Sequence, residues 1–223
     1  MRLVRSGGRA HGRKLLAVAA TLGVGLATAA CGVSEDAPRP GVAADVDGEV
    51  LTLGDLGALV DAACISAEAD ENAQGSARAD VETQLLQSWV VSLVLRDLGE
   101  EAGVSTNGPS VDTDQVPGWD DMTPEGQEMV ADYFALQRGA SAVFQQIGED
   151  APVGDLDVEF NPRFDVALGE VSVVGDLVAE GGGFVPADGQ LSVASTDVEA
   201  TDPAAAAELP DSQYCGPRPA EGA

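Results

Sequence analysis

The stretch from Asp80 to Val104, DVETQLLQSWVVSLVLRDLGEEAGV, constrains this chain more than any other. Leu86, Val90, Leu93, Val94 and Leu98 recur at helical spacing, and Leu85, Trp89, Val91 and Leu95 fill the neighbouring stripe. A helix apolar over that much of its circumference must be covered on more than one side. Asp80 and Glu82 make a polar start, and Gly103 supplies a stop. The stretch therefore predicts the central helix of a small helical core.

The segments on either side predict what covers it. Asp45 to Leu51 reads as a short strand bent at Asp47-Gly48. Thr52 is placed to cap a helix from Leu53, with Asp55 at the third helical position, and Leu53, Leu56, Val60 and Cys64 mark one face of it. That helix fades near Glu68, and residues 69–79 read as a loop. Residues 105–121 are rich in Gly, Pro, Asn and Asp and read as a long loop with one helical turn near Val111–Val116. Thr123-Pro124-Glu125 is a helix start with cap, first-turn proline and an acid at the positive end of the dipole. Met129, Tyr133, Leu136, Ala140, Val143 and Ile147 then form a packing face at alternating intervals of four and three.

Beyond Asp150 the pattern changes. Val153, Leu156, Val158 and Phe160 approach a strand that Asn161-Pro162 interrupts. Val171 and Val173 suggest another strand, Gly181-Gly182-Gly183 a loop, and Leu191-Ser192-Val193 a last extended piece. Residues 196–223 form an acidic, Ala- and Pro-rich tail that reads as irregular, loose from Pro217 onward. The fold class expected is α+β, mostly helical, with a three-helix core and a small sheet pairing N-terminal and C-terminal strands.

The first 30 residues read as a signal peptide. Arg2, Arg5, Arg9, Arg13 and Lys14 precede an apolar run, Leu15 to Ala27, too short to span a bilayer as a mature helix. Thr28-Ala29-Ala30-Cys31-Gly32 follows and resembles the lipobox of bacterial lipoproteins, in which the cysteine thiol takes a diacylglycerol. Thr28 stands where leucine is usual. The alternative is an ordinary secretory signal with Cys31 incidental. As a lipoprotein, the chain is held by Cys31 at the extracytoplasmic face of the cell membrane, with further acylation such as palmitate strengthening the anchor. Residues 31–43 read as a flexible tether, whose ten or so residues at ~3.5 Å each reach roughly 35 Å.

Residues 31–223 hold six arginines, no lysine and all 38 acidic residues, a formal charge of about −32. Such a surface repels nucleic acid and anionic lipid headgroups. It keeps an exported protein soluble, and it leaves room for a cationic partner. With Cys31 lipidated, Cys64 and Cys215 remain; an even pair in an exported chain suggests a disulfide, while the apolar helical face around Cys64 also fits a core thiol.

His11 is the only histidine and Lys14 the only lysine, and both lie in the signal segment. The remainder therefore lacks Ser-His and Cys-His nucleophile pairs, histidine metal ligands and a Schiff-base or phosphate-loop lysine. Asp112 and Asp114, or Asp120 and Asp121, lack the Gly and distal Glu of an EF-hand loop and read as solvated acidic loop. The triple glycine lacks the context of a dinucleotide fingerprint. No catalytic residue, cofactor or metal is expected. Trp89 reads most simply as core, and alternatively as the floor of an apolar groove for a client peptide.

The order of elements resembles a known family. Val46-Asp47-Gly48-Glu49-Val50-Leu51-Thr52, leading into a helix, is similar to the start of the N-terminal domain of the SurA and PrsA chaperone-foldases. Gln84 to Leu95, Glu100-Glu101-Ala102-Gly103-Val104 and Val111 to Val116 resemble that family's long helix and the short helix after it. The helix from Pro124 to Ile147 and the strand into Asn161-Pro162-Arg163-Phe164 resemble its closing segment, in which a returning strand pairs with the first. Actinobacterial lipoproteins of this type carry Pro-Arg-Phe-Gly there, and here Asp165 replaces the glycine. The resemblance covers residues 44–195 and implies an envelope chaperone-like domain for unfolded or nascent exported proteins. It implies no prolyl isomerase activity, because no segment is left for the family's parvulin domain. The alternative is a structural or assembly lipoprotein docking one specific envelope partner.

Overall fold

The computed structural model describes residues 40–106, 110–179, 183–186 and 202–218, all within the compact unit 38–223. The signal segment, Cys31, most of the tether and Leu191-Ser192-Val193 lie outside the described residues. The architecture is α+β, with three long helices and small antiparallel sheets. β1 (Val42–Val46) and β2 (Glu49–Thr52) form a hairpin. Asp47 and Gly48 at its tip both have positive φ, 51° and 90°, the pairing a two-residue hairpin turn requires. The Asp45 carboxylate accepts from Gly48 N at 2.9 Å and closes the turn. The strand begins earlier than the tether reading allowed: Val42 already pairs with Thr52, and Ala43 is fully buried.

Helix α1 (Leu53–Ala69) starts where its cap predicts. Thr52 Oγ1 accepts from Asp55 N at 3.1 Å, while the Asp55 carboxylate accepts from Thr52 Oγ1 at 2.7 Å. Residues 69–79 are not all loop, since β3 (Ser76–Ala77) leads directly into α2 (Arg78–Glu101). After α2, Gly103 turns the chain at φ 70°. Single 3-10 turns at Thr113–Gln115 and Trp119–Asp121 carry it to α3 (Pro124–Ile147), where Thr123 Oγ1 accepts from Gly126 N at 3.1 Å.

Packing around α2 explains its composition. Leu86, Val90, Leu93, Val94 and Leu95 are buried, and they share one cluster with Leu56 and Val60 of α1, Ala43, Ala44 and Val46 of β1, and Ala140 of α3. Ser92 is buried too, and its hydroxyl donates back to Ser88 O at 2.7 Å. The second half of α3 approaches the end of α2 through glycines. A Cβ on Gly99 would collide with Val143, and one on Gly139 with the carbonyl oxygen of Thr106.

β4 (Val158–Phe160) returns to pair antiparallel with β1, Ala44 opposite Phe160, giving the order β2-β1-β4. A 3-10 turn at Pro162–Phe164 ends on Asp165, which adopts the left-handed conformation (φ 53°) at the position where the resembling lipoproteins carry glycine. The strand expected at Val171 and Val173 is displaced. β5 (Val166–Leu168) pairs instead with β6 (Phe184–Pro186). Val173 makes a single bridge to Pro152 and leads into the short helix α4 (Val174–Val178), whose Val174 and Leu177 are buried in the main core.

Residues 202–218 of the tail are more ordered than their composition implies. α5 (Pro203–Ala206) and a 3-10 turn at Asp211–Gln213 precede β7 (Tyr214–Cys215), which pairs with β3. Tyr214 occupies the space beside Gly75, and its hydroxyl donates to Pro217 O at 3.1 Å. Arg218 lies over the Tyr214 ring, 4.6 Å from its centroid, and pairs with Asp211 at 2.8 Å. Pro217 and Arg218 are thus held rather than loose. Urea denaturation tests the close helix approach: Gly139→Ala lowers stability by about 1–3 kcal/mol despite the gain in helix propensity. Gly57→Ala on α1, where a Cβ meets nothing within 4 Å, raises it by up to ~1 kcal/mol.

Candidate functional site

Between α2 and α3, beside α1 and β2, the described residues leave part of the apolar face of α2 uncovered. The resulting groove encloses about 320 Å³. Leu93 and Leu59 form its buried base, and Trp89, Met129 and Leu136 its half-buried apolar walls. Each comes from the periodicity of its own helix: Trp89 and Leu93 are four apart on α2, and Met129, Tyr133 and Leu136 four and three apart on α3. Glu49 and Arg96 close one end, and Asp132 and Tyr133 complete the lining.

The polar groups at the margin are not equivalent. Arg96 donates to Glu49 at 2.9 Å and pairs with Asp97 at 2.9 Å. The hydrogen bond to Glu49 holds the guanidinium above its ordinary pKa against the opposing effect of burial, with Asp97 adding to the rise. Gln137 Nε2 donates both to Ser88 Oγ at 2.7 Å and to the Tyr133 hydroxyl at 2.8 Å, which ties α2 to α3 beside the groove. Burial pushes the Tyr133 phenol up, opposed by its hydrogen bonds with Ser88 and Gln137. Phe134, an exposed aromatic, stands edge-on to Tyr133 with ring centroids 6.1 Å apart.

Cys64 of α1 and Cys215 of β7 are brought to disulfide distance, their Cα atoms 4.6 Å apart across 151 residues of sequence. Arg78 lies beside them, 3.8 Å from Cys64 Sγ and 2.5 Å from the Asp61 carboxylate. None of residues 202–218 lines the groove. Of the acidic loop residues, Asp112 accepts from Gln115 Nε2 at 2.5 Å, and Asp120 and Asp121 lie exposed in a 3-10 turn. Among the described residues no group of three or more His, Cys, Asp or Glu is placed to hold a metal ion, and no helix is long and apolar enough to cross a membrane. A second hollow of about 280 Å³, bounded by Gly154–Leu156 and Leu168–Val171, brings Asp155 and Glu170 to its edge.

Trp89, read most simply as core and alternatively as a groove floor, is half-buried: it packs against the main core cluster and also lines the groove. Met129, Tyr133 and Leu136 were legible only as packing positions and Leu59 was not marked at all, because their convergence depends on how three helices are set against one another. The chain matches no protein-family model, no curated protein and no solved structure.

Tyr133 gives the site a measurable pH signature. Its folded-state pKa is raised, so the folded chain holds the phenolic proton longer than the unfolded chain does. Its contribution is complete below about pH 10 and is lost as pH rises through the folded value. The slope of urea stability above pH 10 should therefore be shallower in Tyr133→Phe than in the parent chain.

Proposed function

We propose that this chain is a lipoprotein anchored through Cys31 at the extracytoplasmic face of the cell membrane. There it serves as a non-catalytic, chaperone-like module that holds apolar side chains of unfolded or nascent exported proteins. The signal segment and lipobox-like Thr28-Ala29-Ala30-Cys31 motivate the address. The observation that carries the activity is the groove over α2, where the half-buried Trp89, Met129 and Leu136 present apolar surface that no described element covers. The helical order and the pairing of β1 with β4 agree with the SurA/PrsA-like reading of residues 44–195, including the returning strand.

Physically, transfer of an apolar side chain from water into the groove is worth about 25 cal/mol per Å² buried. That suits weak, reversible holding. The described part of the tail, residues 202–218, which we read as joined to α1 through a Cys64–Cys215 disulfide, contributes no residue to the groove lining. The bridge would contribute at most about 5 kcal/mol by limiting the unfolded chain. The groove's volume lies near the lower end of the range usual for ligand sites, and this modest size favours a second reading, docking of one specific envelope partner.

Aggregation of a denatured model protein, followed by light scattering with the chain at stoichiometric ratio, tests the first reading. Protection that persists at high salt, and falls severalfold in Trp89→Ser, is expected. Absence of protection at any salt concentration would remove the chaperone reading and leave the docking one. Independently, Cys215→Ser should lower stability by about 2–5 kcal/mol in urea; equal stability with and without reductant would show that the pair is not bridged.

A further inference from the structure

The two sides of the groove differ in charge, and this bears on what it holds. On α3, Glu125, Glu128 and Asp132 fall at positions i, i+3 and i+7, along the flank of the apolar row Met129, Tyr133 and Leu136. All three acids are exposed, and no hydrogen bond or ion pair engages their carboxylates within the described residues. Asp132 itself lines the groove. The single cation in the lining, Arg96, is already neutralised by Glu49 and Asp97. None of the other described arginines lines the groove, and Arg78, Arg163 and Arg218 pair with Asp61, Glu82 and Asp211.

Size limits the occupant further. A hollow of about 320 Å³, against the ~150 Å³ that holds a benzene, takes one or two bulky apolar side chains, not a long run of them. We infer that the groove recognises an extended peptide segment in which one bulky apolar residue is flanked by Lys or Arg. The apolar side chain enters between Trp89, Met129 and Leu136, and the neighbouring cation lies against Asp132 and Glu128. This deepens the groove reading above and rests on it. The selectivity is electrostatic and exposed, so it adds to apolar burial without replacing it. Each ion pair formed at such a surface is worth up to about fivefold in affinity at low salt, and screening reduces it.

Three fluorescein-labelled peptides with one shared Ser-Phe-Ser centre, flanked by Lys, Ser or Glu, provide the test by fluorescence anisotropy with the purified full-length chain. The expected order is Lys over Ser over Glu, the Lys and Glu peptides differing roughly tenfold at low salt and converging at high salt. In the double variant Glu128→Gln, Asp132→Asn the ratio of Lys-flanked to Ser-flanked affinity should fall to twofold or less, a ratio in which any uniform change in groove binding cancels. Equal binding of all three peptides would overturn the charge selectivity and leave the groove reading intact. A Lys preference that survives the double variant would assign it to the general acidic surface and overturn the inference. Failure of every peptide to bind would remove the groove reading along with it.

Discussion

The covering of α2 is the constraint on which the rest of the structure depends. Leu86, Val90, Leu93, Val94 and Leu95 together turn apolar surface in several directions, and no single neighbour can bury it. β1 and α1 take one side, α3 another, and Leu177 of α4 joins the same cluster. The small β2-β1-β4 sheet is therefore a side wall for a helix rather than the centre of the fold. What these elements leave uncovered, around Trp89, is the groove.

The same arrangement separates stiffness from access. Gly99 lets α2 close on Val143 of α3, and Gly139 lets α3 close on Thr106 in the segment after α2, where any side chain would collide. Near Trp89 and Met129 larger side chains face the space between the helices. The Gln137 amide spans the seam with hydrogen bonds to both Ser88 and Tyr133, so the groove has a fixed polar brace at its edge. The tail meets α1 and β3 through Cys215 and Tyr214, away from that opening. A binding face can thus stay open on a body that is pinned elsewhere.

Local signals made much of the framework legible. Thr52 with Asp55, Thr123 with Pro124, and the positive-φ pair Asp47-Gly48 each act within a few residues, and the elements begin and turn where those side chains dictate. The misplaced strand shows the limit of such reasoning. Val171 and Val173 alternate like a strand, but Asp176 accepts from Ser172 and Val173 backbone amides and starts a helical turn instead. Val166–Leu168 became the strand because a partner, Phe184–Pro186, was within reach. β3 and β7 are only two residues long and carry no periodicity; Tyr214 packing on Gly75 and the nearness of Cys64 to Cys215 determine them. The groove was half legible for the same reason. Trp89 offered it only as the alternative to a core position, and the residues facing Trp89 are set by helix packing.

The account rests on the claim that the groove over α2 is where an unfolded chain is held. Hydrogen exchange of the full-length protein, with and without a saturating unfolded client, addresses that claim at residue level. Added protection should centre on residues 86–96 of α2 and 129–137 of α3, with the 202–218 segment unchanged. Protection that falls instead on β5, β6 or the tail, or that is absent while the client is demonstrably bound, would contradict it.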